Sequence, residues 1–120
     1  MTQIFVELYN YRPAWHILSP EQKEDFVKSV LNAIEEVSRH EVEVVGWGMN
    51  DPDTDRRAAY DFFCVYRVPS ADFQRGFEAN IAGSGWHDYF EQVNVSGAIM
   101  APADLLKANI AGERPRPQAS

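Results

Sequence analysis

The chain has 120 residues, 45% hydrophobic and 24% charged, the proportions of a single globular domain that buries roughly two thirds of its unfolded surface. A net charge of −7 argues against nucleic acid or anionic lipid as a partner, and no apolar run reaches the ~20 residues that a bilayer span needs. The opening MTQIFVELY lacks the basic and apolar regions of a secretion signal, and the single cysteine, Cys64, excludes an internal disulfide and a cysteine-rich zinc site, so a cytoplasmic protein without membrane attachment is expected.

In chain order, Ile4 to Tyr11 alternates Ile4, Val6 and Leu8 against Phe5, Glu7, Tyr9 and Tyr11. This is a first strand whose second face is aromatic with one carboxylate among the rings. Pro13 removes a ladder donor and ends it. Ser19-Pro20-Glu21-Gln22 then has the form of a capping box, with Pro at the first helical position. The helix it opens runs to about Arg39 and carries Phe26, Val27, Val30, Leu31, Ile34 and Val37 as its apolar stripe. A second strand follows from Val42 to Met49, with Val42, Val44 and Gly46 on one face and Glu43, Val45 and Trp47 on the other. The loop Asn50 to Asp55 is rich in turn formers. Its alternating Asp51, Asp53 and Asp55 suggest calcium, but the glycine and the distal glutamate of an EF-hand are missing, so no metal is expected.

Arg57 to Pro69 is the longest β-type run. One face carries Tyr60, Phe62, Cys64, Tyr66 and Val68, the other Asp61, Phe63, Val65 and Arg67, and apolar character on both faces marks a central strand covered on two sides. Ser70 caps a second helix with the stripe Phe73, Phe77, Ile81, in which Gly76 signals close approach to a neighbour. Gly83-Ser84-Gly85 ends that helix, and Trp86 to Phe90 is a crowded, extended aromatic segment. Glu91 to Ala98 alternates Val93 and Val95 against Gln92, Asn94 and Ser96 as a fourth strand. A short helix from Ala103 to Ile110 completes a single domain of residues 1–111, and residues 112–120, polar and proline-rich, are expected to be a mobile tail.

Strand, helix, strand, strand, helix, strand is the ferredoxin-like βαββαβ order, an α+β fold with an antiparallel four-stranded sheet, helices on one face, and here a short C-terminal helix. Two helices cover only one face. The open face is expected to carry Phe5, Tyr9, Phe63 and Val65, a patch large enough to call for a homodimer.

The element order, the capped first helix and the break Gly83-Ser84-Gly85 before Trp86-His87 resemble the dimeric α/β-barrel superfamily over about residues 3 to 98. That resemblance implies two sheets paired face to face with a ligand cavity in each half. It spans cofactor-independent quinol-type monooxygenases, stress-responsive barrels, polyketide cyclases and haem-linked dismutase relatives. PAWHILSPEQ also resembles the PAW-x-x-L-S-x-E opening of darcynin-type proteins.

The candidate residues follow from this arrangement. His87 and His16 are the candidate general bases, each beside a tryptophan near a sheet end. Glu7 and Asp61 are carboxylates on ring-lined strand faces of neighbouring strands, with Arg67 a possible partner for Asp61, and each must find a partner or shift its pKa. Tyr9, Tyr11, Trp47, Phe63, Trp86 and Asn94 complete the expected lining for a flat ligand. His40, at a helix end, is read as structural. The expected function is binding of a small apolar or aromatic ligand inside each subunit, with no cofactor. The alternative is a cofactor-free monooxygenase or polyketide cyclase using His87 or His16 as base, with haem as a third option. Glu7, Asp61 and the His87 loop are expected to converge on one cavity.

Overall fold

Strands β1 (Gln3–Tyr11) and β3 (Phe62–Val68) pair antiparallel at the centre of a four-stranded sheet. Strand β4 (Phe90–Ala98) lies outside β1 and β2 (Glu43–Met49) outside β3, in the order β2-β3-β1-β4. The computed structural model describes residues 1–117, so the expected tail of residues 112–120 lies partly outside the described residues. Between the strands run α1 (Pro13–His16), α2 (Pro20–Ser38), α3 (Ala71–Gly83) and α4 (Trp86–Tyr89), with α5 (Pro102–Ile110) after β4. The chain thus has the ferredoxin-like α+β arrangement, every strand pair antiparallel. No helix among the described residues is long and apolar enough to cross a membrane.

The helix starts obey their local chemistry. The Ser19 hydroxyl accepts from the Gln22 amide and the Gln22 side chain accepts from the Ser19 amide, closing the capping box at α2. Ser70 caps α3 by accepting from the Phe73 amide. Gly85 takes φ +86° between α3 and α4, a left-handed turn that suits glycine. Two elements differ from the sequence reading: Pro13–His16, expected as loop after the first strand, and Trp86–Tyr89, expected as extended chain, each form one helical turn. In both cases the turn folds tryptophan onto Phe90, with Trp15 at 5.0 Å and Trp86 at 4.3 Å between ring centroids. Burial of the tryptophan rings offsets the unfavourable formation of an isolated helical turn in these short segments.

The two faces of the sheet are assigned oppositely to expectation at β1. Phe5, Glu7 and Tyr9 point to the helices, where Phe5 meets Phe77 of α3 edge-on at 5.9 Å, and the core comprises Phe5, Tyr9, Val42, Cys64, Tyr66, Val68 and Phe90. Large rings remove more area from water than Ile4, Val6 and Leu8 do, so the aromatic side turns inward. The open face therefore carries Ile4, Val6 and Leu8 together with Phe63 and Val65, which were expected there, and Val93 and Val95. A bulge at Val45 breaks strict alternation in β2: Val44 pairs with Tyr66 and Trp47 with Cys64, so both share the helix side, while Gly46 joins Glu43 on the open side. Gly48 also faces the open side, where a Cβ would lie 2.7 Å from the Phe63 ring, and the missing side chain makes room for that ring.

Candidate functional site

Helix α2 has no fully buried residue. It stands over the sheet as a roof, and beneath it lies a cavity of about 180 Å³ walled by Glu7, Tyr9, Trp47 and Tyr66 from the sheet. Phe26, Val30, Ile34 and Val37 of α2, Phe77 and Ile81 of α3, and Trp86 line its other sides, and it is partly open to solvent. An adjoining recess of about 220 Å³ shares Phe26, Val30, Trp47 and Trp86 and extends to Tyr11, Trp15 and Met49.

Glu7 is the carboxylate on this wall, 1% exposed. Burial pushes its pKa up from 4.5 to about 7, hydrogen bonds from Tyr9 and Gln92 pull it part of the way back, and the charge of Glu78 on α3 adds to the rise. No lysine, arginine or histidine lines the cavity to offset it. Burial, and then the nearby Glu7 charge, also drive the Tyr9 and Tyr66 hydroxyls and the Cys64 thiol well above their usual ranges, so all three stay protonated at neutral pH.

A polar chain leads outward from Glu7. Gln92 Nε2 donates to Glu7 Oε2 at 2.7 Å and to Asn94 Oδ1 at 2.8 Å, while His87 Nε2 lies 2.8 Å from Gln92 Oε1. An amide oxygen only accepts, so in this arrangement His87 carries a proton on Nε2. Exposed His87 thus reaches the buried carboxyl through one side-chain amide. Farther along β4, the Gln74 amide of α3, itself 1% exposed, donates to Ser96 at 2.8 Å and to Glu78 at 2.9 Å. The helix-facing side of β4 is therefore a polar seam matched by α3.

The expected site residues separate accordingly. Glu7, Tyr9, Trp47 and Trp86 line the cavity, Tyr11 lines the adjoining recess, and Asn94 supports Gln92. Asp61 does not join Glu7: it lies just before β3 at the opposite parity, where Oδ2 accepts from the Tyr11 amide at 3.1 Å. The residue two positions before Phe63 shares that side chain's side, and Phe63 is on the open face, away from the cavity. Arg67 pairs with Glu43 across strands, not with Asp61. His87 touches the network without lining the cavity, and exposed His16 packs against Tyr11 with ring centroids 5.4 Å apart. His40 bonds Glu36 one turn back on α2.

Sequence reasoning missed Gln92, Tyr66, Phe26 and Phe77. The available signal was the polar trio Gln92, Asn94, Ser96 facing Gln74 and Glu78 at helical spacing on α3. Among the described residues no group of three or more His, Cys, Asp or Glu is placed to hold a metal. The Asp51 carboxylate instead accepts from the Asp53 amide within its own loop.

The fold and site define an α+β protein with a ring-lined cavity between one face of its sheet and a helical roof. Over residues 2–112 the chain matches the model described as Family of unknown function (DUF6616), and it belongs to that family. No match was found among curated proteins or solved structures.

Proposed function

We propose that this protein binds a small apolar or aromatic ligand in the cavity beneath α2. The observation that carries this reading is a cavity of about 180 Å³ walled by rings around one buried carboxyl. A dry apolar cavity of about 150 Å³ already accepts benzene, so the volume suits a single ring. Cavity sites of this kind, apolar with a few convergent polar groups, are the usual form of small-molecule sites. The reading includes a cytoplasmic setting, supported by the lone, buried, unpaired Cys64. It also includes a homodimer of the dimeric α/β-barrel type, supported by the uncovered valines of the open face.

Benzene tests the cavity directly. In a ¹⁵N spectrum its addition is expected to shift the indole N–H signals of Trp47 and Trp86 and leave that of Trp15 less affected. Unchanged Trp47 and Trp86 signals at saturating benzene would remove the binding reading.

A second reading, proton abstraction from a bound substrate, is favoured by the same carboxyl. With a pKa of about 7 and a place on the cavity wall, Glu7 is better set than His87 or His16 to act as general base.

A further inference from the structure

The Gln92 side chain stands between the buried carboxyl and the surface, and its two ends are chemically unlike. Its nitrogen donates to Glu7 Oε2 at 2.7 Å and to Asn94 Oδ1 at 2.8 Å, while its oxygen accepts from His87 Nε2 at 2.8 Å. A side-chain amide turns readily about its last torsion, so the partners at each end hold this orientation. Turned over, the amide would set its oxygen against the Glu7 carboxylate and the Asn94 oxygen, and its own N–H groups against the N–H of His87. Among the described residues, His87 is the partner at the oxygen end. Glu7 itself is 1% exposed, and its other side-chain hydrogen bond comes from Tyr9, which is 2% exposed. The bond to Gln92 is therefore its polar connection toward solvent.

We propose that His87 is a positioning residue for Glu7: by donating to the Gln92 oxygen it keeps the Gln92 N–H turned inward, and this favours the ionised carboxylate. A hydrogen bond donated to a carboxylate is charge-assisted and stronger than the same bond to a protonated carboxyl. When His87 is itself protonated its donation strengthens, and the hold on the amide with it. The other groups that face Glu7 do not supply this control. Tyr9 on β1 and Cys64 and Tyr66 on β3 stay protonated at neutral pH. Glu78 on α3 opposes ionisation through its charge and is held by Arg75 and Gln74. Helix α2 and strand β2 present no charged side chain to the cavity. The inference holds whether or not the cavity takes a ligand, and where Glu7 acts as a general base it names the residue that keeps the base ionised.

The titration midpoint of Glu7 can be read from the side-chain carboxyl signal of the ¹³C-labelled full chain, assigned with Glu7→Gln. His87→Ala is expected to raise that midpoint by about half a pH unit to one unit, the worth of one net hydrogen bond. His87 is exposed, so this variant keeps the fold. Gln92→Met has a side chain of similar length without the amide; its midpoint should already be raised, and adding His87→Ala should move it little further. If Gln92→Met does not fold, titration of His87→Ala at about 1 M salt decides, because charges more than ~3 Å apart are then screened. A shift carried through Gln92 persists in salt, and a direct effect of the His87 charge vanishes. An unmoved midpoint in His87→Ala would overturn the inference, as would a shift of equal size in the Gln92→Met background or one lost in salt. The ligand reading is tested separately, by the benzene-induced shifts of Trp47 and Trp86.

Discussion

At the scale of single residues, Glu7 sets the behaviour of the site. Tyr9 on its own strand, Cys64 and Tyr66 on β3, Glu78 on α3, and His87 through Gln92 are the titratable groups around it. The carboxyl titrates near 4.5 when unfolded and about 7 when folded. Between those values the native state holds a proton that the unfolded state has lost, so stability is greatest on the acid side and declines as pH rises through the window. The loss approaches about 3 kcal/mol by pH 8. Glu7→Gln removes this slope. Urea unfolding at pH 5 and pH 8 should therefore show the unaltered chain losing about that much relative to the variant, and parallel pH dependence in both would refute the account. The importance of Glu7 was legible in the sequence, because a lone carboxylate alternating with Phe5 and Tyr9 has to be paired or neutralised. Its partner was not. Asp61 looked equivalent from its place among rings, yet the register that sets Tyr9 opposite Phe62 puts Asp61 on the other side of the sheet, and register is a property of pairing that one strand's pattern does not fix.

At the scale of elements, caps and strand order were legible because they rest on local chemistry: Ser19, Ser70 and the βαββαβ sequence all appear as read. Face assignment was less so. The two central strands offered apolar residues on both sides, and the choice fell to the larger rings of β1, which brought the polar Gln92, Asn94 and Ser96 of β4 under α3 and turned Val93 and Val95 outward. One-turn helices also lie below what periodicity can show, since four residues do not complete two turns. Gly76 is a related case. Its place inside α3 suggested a close neighbour, but a Cβ there meets nothing within 4 Å. With no packing reason for glycine, its flexibility only weakens the helix, and Gly76→Ala is expected to stabilise the protein by up to about 1 kcal/mol. A lower urea midpoint for that variant would show that the position has a contact or role beyond helix propensity.

At the scale of the whole molecule, the chain is less compact than its length predicts. Its radius of gyration is 16.5 Å, against about 14 Å for a compact domain of this size. Two surfaces are left uncovered. Helix α5 buries no residue, with Ile110 at 88% exposure. The open face presents two apolar rows across three strands, Val65–Val6–Val95 and Phe63–Leu8–Val93, with Val95 62% exposed. A contiguous face of this kind exceeds the scattered exposed residues of an ordinary monomer, and a second copy laid sheet to sheet would bury both rows at once in a symmetric contact. Val65 stands in the row through the sheet centre, so Val65→Asp would place a charge in that contact while leaving the helix-side core untouched. Light scattering at micromolar concentration is expected to give twice the chain mass for the unaltered protein and the single chain mass for Val65→Asp, with circular dichroism unchanged. A monomer in the unaltered protein would remove the dimer. A dimer that survives Val65→Asp would move the contact off the sheet, and Leu106→Asp on α5 would then be the variant that breaks it.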